Sequence, residues 1–202
     1  MTSSKSTNVM LVGVGGQGTL LAADVVALVG MASGYDAKKS EVHGMAQRGG
    51  SVTSHVRWAE RVYSPLIAPG QVDYFMAFER LEALRYAEML APHGVLLVND
   101  YRISPVSVSS GNDVYPSDED ERRAYQTIAD RVHLVPAMEI AKGLGNARVN
   151  NVVMLGVLSA FMDLDADVWL DVIAQRVPQR FIELNREAFA AGRRSILAKG
   201  EA

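Results

Sequence analysis

The feature that most constrains this chain is the junction near its start. An unbroken apolar run, Val9-Met-Leu-Val-Gly-Val14, passes directly into Gly13-Val-Gly-Gly-Gln-Gly18 and then into a stretch of helical length, residues 16–30, whose polar members are Gln17, Thr19 and Asp24. A strand with no polar face has to be covered on both sides, as in a parallel sheet flanked by helices. A helix this apolar has to be packed around most of its circumference. The chain is therefore committed to a layered α/β arrangement from its first thirty residues.

The pattern continues downstream. Residues 72–78, 94–99 and 132–135 read as further strands, and residues 79–90 as a helix stopped by Pro92-His-Gly94. Residues 51–58 alternate, with Val52, Ser54, Val56 and Trp58 on one face. Residues 61–67 follow after a short turn at Ala59-Glu60, and the pair predicts a hairpin. Residues 37–50 are polar, hold three glycines and predict a long loop. Residues 101–121 predict an irregular excursion with a short strand near 106–108, followed by a surface helix over 119–131. Pro136 suits the first position of a helix reaching about 144. Beyond that the pattern is helical only, at about 149–162, 166–176 and 178–198. The fold expected is α/β: a three-layer, mostly parallel, Rossmann-like sheet with an antiparallel hairpin and a helical C-terminal segment. Residues 9–198 form a single domain, with an α/β core to about 145 and a helical part over 149–198. Residues 1–8 are a polar, flexible tail, too polar for a secretory signal.

Composition narrows the chemistry. Without cysteine, the chain holds no disulfide, no thiolate-bound metal and no conventionally ligated iron–sulfur cluster. The same absence fits a reducing cytoplasm. A net charge of −3 offers no general attraction for nucleic acid or an anionic membrane. The longest apolar stretch, residues 152–162, is about half of a membrane span and reads as a buried core helix. His43, His55, His93 and His133 form no short metal-binding pair. Asp163-Leu-Asp-Ala-Asp167 opens like a calcium loop, but Val168 stands where glycine is needed and Ala174 where glutamate is needed. No metal site is expected, and no Gly-x-Ser-x-Gly turn supplies a hydrolase nucleophile.

Two segments carry functional chemistry. The turn Gly13-Val-Gly-Gly-Gln-Gly18 lies between strand and helix, where free N–H groups and the helix dipole favour an anion. It satisfies G-x-G-x-x-G, and Asp36 stands near the distance at which a dinucleotide fold places its acidic residue. Residues 37–41 do not form the apolar second strand such a fold needs. Tight strand–helix packing or contact with a partner protein explains the glycines better than a bound dinucleotide does. The other segment, Glu41-Val-His-Gly-Met-Ala-Gln-Arg-Gly-Gly50, gathers a carboxylate, an imidazole, a carboxamide and a guanidinium. Arg48 could grip a carboxylate or phosphate through two hydrogen bonds, and His43 could move protons near neutral pH.

Taken in order, Val12-Gly-Val-Gly-Gly-Gln-Gly18 and Glu41-Val-His-Gly-Met-Ala-Gln-Arg-Gly-Gly-Ser-Val52 resemble the gamma-type domain of the 2-oxoacid:ferredoxin oxidoreductases. The second motif is most similar to the beta subunit of the indolepyruvate branch. The likeness extends over about residues 9–195, through Tyr63-Ser-Pro-Leu-Ile67, Leu81-Glu-Ala-Leu-Arg-Tyr86, Val98-Asn99, Gly145-Asn146 and Asn150-Asn-Val-Val-Met-Leu-Gly156. The resemblance implies a complex that turns a 2-oxoacid and coenzyme A into an acyl-CoA and carbon dioxide, passing electrons to ferredoxin. In the indolepyruvate branch the substrates are aryl pyruvates. Thiamine diphosphate, magnesium and iron–sulfur clusters would sit on a larger catalytic subunit. The present chain, inactive alone, would dock there and complete the active site.

The chain's own composition agrees, since it lacks cluster ligands and the Gly-Asp-Gly…Asn-Asn type of segment that holds a magnesium–diphosphate. No catalytic residue is certain in it, with His43 and Arg48 the candidates. Gly13, Gly15, Gly16, Gln17, Gly18, Gln47, Arg48, Gly49 and Gly50 are the cofactor-contacting set. A bare docking surface would favour a homodimer when the chain is isolated. Two alternatives stay open on the residues: an autonomous NAD(P)- or nucleotide-binding enzyme using the glycine turn, and a metabolite sensor.

Overall fold

The computed structural model describes residues 6–43, 50–198 and 200, with His43 described through its backbone. The elements run β1 (Thr7–Val14), α1 (Thr19–Ala32), β2 (Asp36–His43), β3 (Ser51–Ala59), β4 (Val72–Ala77), α2 (Arg80–Arg85), β5 (Leu90–Asn99), α3 (Val106–Ser109), α4 (Asp118–Ile128), β6 (Arg131–Val135), α5 (Ala137–Gly143), α6 (Asn150–Ala160), α7 (Ala166–Arg176) and α8 (Ile182–Leu197). One six-stranded sheet has the order β2-β3-β1-β4-β5-β6. β1, β4, β5 and β6 are mutually parallel. β3 runs antiparallel to β1, and β2 antiparallel to β3.

Alternating side chains divide the core. Val9, Leu11, Met76, Phe78 and Leu97 point to one face, where α1, α6, α7 and α8 bury them. Met10, Val12, Phe75, Leu96 and Val98 point to the other, beneath α2 and α4. The first face is the heavier one. There α6 and α8 cross so closely that a Cβ on Gly156 would stand 2.1 Å from the Phe189 carbonyl oxygen. One on Gly192 would stand 1.9 Å from that of Val153. Only glycine permits this approach, which seals α6, read from sequence as the buried core helix.

Three sequence expectations are corrected. First, residues 37–50 are not one loop, because Asp36–His43 forms the edge strand β2. The hairpin is β2–β3, not residues 51–58 with 61–67. An exposed edge carries lysine and glutamate in place of a hydrophobic face, so its period was hidden. Residues 60–67 are irregular and are held by side chains. Asp36 accepts the Val62 N–H (2.8 Å), Lys38 donates to the Val62 carbonyl, and Arg57 donates to the carbonyls of Ser64 (3.1 Å) and Leu66 (3.2 Å).

Second, β5 begins at Leu90, and the stretch read as one helix is the short α2 to Arg85 followed by a 3-10 turn over Ala87–Met89. The β4 pairing jumps from Leu90 to Val95, a bulge that accommodates Pro92. Third, residues 106–108 lie in the short helix α3, with Pro105 at its N-terminal boundary, not in a strand. No helix among the described residues is long and apolar enough to cross a membrane.

Candidate functional site

In an open α/β sheet, ligands collect outside the carboxyl ends of the parallel strands, where neighbouring strands send their helices to opposite faces. Here that point lies between β1 and β4, because β1 leads into α1 on one face and β4 into α2 on the other.

The glycine turn occupies it. Gly16 and Gly18 take φ of +99° and +79°, a region closed to most side chains. The Gln17 side chain turns inward and is buried behind the turn. Its Oε1 accepts the Val14 N–H at 2.7 Å, and its Nε2 donates to the Phe78 carbonyl at 2.8 Å. Asn99, at the end of β5, donates to the same carbonyl (3.2 Å) and accepts the Met138 N–H at the start of α5 (3.3 Å). Three strand ends and a helix start are thus tied through two buried carboxamides whose bonding is satisfied within the protein. Asn151, in the first turn of α6, donates to the Gly18 carbonyl at 3.4 Å, so the starts of α1 and α6 abut at the turn. A Cβ on Gly18 would meet that Asn151 side chain at 2.5 Å.

The second motif arrives at the same edge. β2 ends at His43, paired with Val52, and β3 begins at Ser51, paired with Val14. The Gly15 N–H donates to the Gly50 carbonyl at 3.1 Å. Both ends of the 44–49 segment are therefore fixed beside the glycine turn, although the motifs lie some thirty residues apart in sequence. Of the sequence candidates, Gly13, Gly15, Gly16, Gln17, Gly18, Gly50 and the His43 backbone are brought together here. Gln47, Arg48 and Gly49 lie outside the described residues.

A buried acidic pair completes the edge. Glu79 caps α2, accepting the N–H groups of Leu81 (2.6 Å) and Glu82 (3.0 Å). Its other oxygen receives the Ile103 N–H (3.1 Å) and the Tyr115 hydroxyl (2.5 Å). Glu82, 4% exposed, accepts from the Ser51 hydroxyl and stands 3.4 Å from Arg85. Burial pushes the Glu82 carboxyl above its ordinary range. The Ser51 hydrogen bond and Arg85 pull against that, and Glu79 adds to it. Sequence reasoning gave Glu79 no role, and it placed Glu82, Tyr86 and Asn151 in segments of family likeness without naming them as site residues. The one signal that could have marked Glu79 was its place between an apolar strand and a helical pattern.

Asp36 does not play the dinucleotide role. It opens the antiparallel edge strand, separated from β1 by β3, and its carboxylate is occupied by the Val62 N–H and Lys38. Among the described residues, no group of three His, Asp or Glu side chains is placed to hold a metal ion.

Comparison with known proteins gives a consistent result. The profile of the family described as pyruvate ferredoxin/flavodoxin oxidoreductase matches residues 8–195. The chain is 37% identical over 191 residues to indolepyruvate oxidoreductase subunit IorB of Thermococcus kodakarensis, covering 93% of this chain and 95% of that one. The keto/oxoacid ferredoxin oxidoreductase gamma subunit of Geobacter sulfurreducens superposes with a TM-score of 0.71 at 27% identity, covering 95% of this chain and 99% of that one. The fold also matches 32% of a 2-oxoglutarate:ferredoxin oxidoreductase chain from Magnetococcus marinus, at a TM-score of 0.73, 21% identity and 99% coverage of this chain.

Proposed function

The chain belongs to the pyruvate ferredoxin/flavodoxin oxidoreductase family, as a small subunit of a 2-oxoacid:ferredoxin oxidoreductase, and from that premise we propose that it docks on a larger catalytic subunit and completes its active site with the edge formed by the glycine turn and the 41–50 segment. The observation that carries this reading is the convergence of the two motifs, through the Gly15–Gly50 hydrogen bond, at the carboxyl edge of the sheet. The substrate we propose is an aryl pyruvate of the indolepyruvate type, from the identity to subunits of that name. The autonomous dinucleotide enzyme finds no support, given the occupied Asp36 and the antiparallel β2.

The iron–sulfur clusters and the magnesium–diphosphate of such a complex do not fit the side chains this chain offers among its described residues. It has no cysteine for iron–sulfur clusters, and its described residues offer no carboxylate cluster for a magnesium–diphosphate. Thiamine diphosphate would supply the carbon-bond chemistry from the partner, and ferredoxin would receive electrons there. This chain's contribution is positioning and exclusion of water. The first N–H groups of α1 have no side-chain cap and face the crevice margin, beside an open Gly16. They suit an anionic part of coenzyme A or of the 2-oxoacid. Arg48 would grip the substrate carboxylate or a phosphate, with Gln47, Gly49 and Gly50 beside it, and His43 would serve proton movement.

Exposed apolar side chains support docking through the β2–β3 side. Val42 lies on β2, and Tyr63 and Leu66 project from the segment pinned along it, Tyr63 being 84% exposed. The test is Arg48→Ala in the reconstituted two-subunit complex, assayed by 2-oxoacid-dependent electron transfer. The reading expects a loss of about a hundredfold in kcat/KM with assembly intact. Unchanged kinetics and unchanged assembly would remove the role.

A further inference from the structure

The buried carboxylate of Glu82 has no part in the reading above, yet it touches the point where the 44–50 segment rejoins the sheet. We propose that Glu82 is a positioning residue for the reaction: through Ser51 it fixes the exit of that segment against the glycine turn. The inference rests on the proposed role of the segment at the partner's active site.

The geometry is a short relay. The Ser51 hydroxyl donates to Glu82 Oε2, so the contact of 3.0 Å between Ser51 and Tyr86 is the Tyr86 hydroxyl donating to Ser51 Oγ. Ser51 is the first residue of β3, and Gly50 just before it receives the Gly15 N–H. The strand start is therefore clamped by its backbone on one side and its side chain on the other. The clamp originates in α2, whose first turn is itself set by Glu79. Arg85, on the same helix, faces the second Glu82 oxygen. A carboxylate with 4% exposure, next to a second buried carboxylate, is an expensive way to hold one serine. An apolar side chain would pack there with no such cost. The arrangement makes sense where the position of the segment's end matters more than stability. Residues set a few bonds from a reacting group commonly act in this manner, locking the geometry of those that touch substrate.

The test compares Ser51→Ala, Glu82→Leu and Glu82→Gln with Arg48→Ala, each in the reconstituted two-subunit complex. For each, kcat and KM for the 2-oxoacid are measured, with the melting temperature of the isolated variant chain. Ser51→Ala and Glu82→Leu are expected to lower kcat about tenfold, with KM within about twofold. The melting temperature of Glu82→Leu should equal or exceed that of the unaltered chain, whereas Ser51→Ala, which leaves the buried Glu82 oxygen without its donor, should melt slightly lower. Glu82→Gln, which still accepts from Ser51, should recover most of the lost kcat.

A purely structural role would instead make activity fall in step with melting temperature, with no recovery in Glu82→Gln, and would overturn the proposal. Unchanged kcat in Ser51→Ala and Glu82→Leu, beside a damaged Arg48→Ala, would overturn it while leaving the segment's role intact. An undamaged Arg48→Ala would remove that role and the proposal together.

Discussion

The two sides of the sheet are built to different standards. The parallel strands β1, β4 and β5 are buried on both faces, and Val9, Leu11, Phe75, Met76, Leu96 and Leu97 have no exposed surface. The β2–β3 wing has helix α1 on one face only. Its other face is covered by an irregular segment tied down by Asp36, Lys38, His55 and Arg57, and its outer edge carries Lys38, Lys39 and Glu41. His55 accepts the Ile67 N–H at 3.3 Å, and burial lowers its affinity for a proton, which keeps that acceptor free. The difference teaches that stability is concentrated in the parallel half, leaving the wing to carry polar chemistry and an exposed surface at modest cost.

Substitutions should divide along that line. The largest expected effect is in the helical layer. Gly192→Ala places a methyl group against the Val153 carbonyl and should cost about 3 kcal/mol or more. Thermal unfolding should then fall by about 6 °C or more. Next is Gln17→Ala, at the seam between the halves. It strands the buried Val14 N–H and removes a donor from Phe78, for about 2 kcal/mol in denaturant unfolding.

Glu82→Gln is expected to change stability less and with the opposite sign. The folded chain binds the Glu82 proton more tightly than the unfolded chain does, mainly through burial, so the charged form costs stability. That cost is absent in acid, below the ordinary glutamate range, and grows as pH rises through the raised folded value. The glutamine variant should therefore melt slightly higher than the unaltered chain near pH 8, and the advantage should vanish toward pH 4, as melting curves across pH would show. The smallest effect on stability is expected from Tyr63→Ser with Leu66→Ser on the wing, within about 0.5 kcal/mol. The same pair should weaken binding to the large subunit about tenfold or more in a titration. Were the wing substitutions the ones that unfold the chain, the contrast between the halves would be lost.

Sequence reading succeeded where burial leaves a periodic mark. β1, β4, α6 and α7 are strongly apolar or well capped, and the glycine turn was found because only glycine tolerates its backbone. Reading failed on β2, since an exposed edge strand needs charge instead of alternation. It failed again on residues 61–67, whose buried Val62 and Ile67 mimic a strand while side chains, not a ladder, hold the backbone. The site was half legible. Both motifs could be recognised as unusual, but their meeting depends on the antiparallel return of β3, which brings Ser51 beside Val14. Glu82, Asn99 and Gln17 were invisible as a unit because their partners are backbone groups or residues distant in sequence.

The measurement that bears most directly on the account is amide hydrogen exchange of the chain, alone and bound to its large subunit. The account predicts new protection concentrated in residues 36–43, 51–59 and 61–67 and at the glycine turn, with α7 and α8 unchanged. Protection confined to α7 and α8, with the wing exchanging as freely as in the isolated chain, would contradict it.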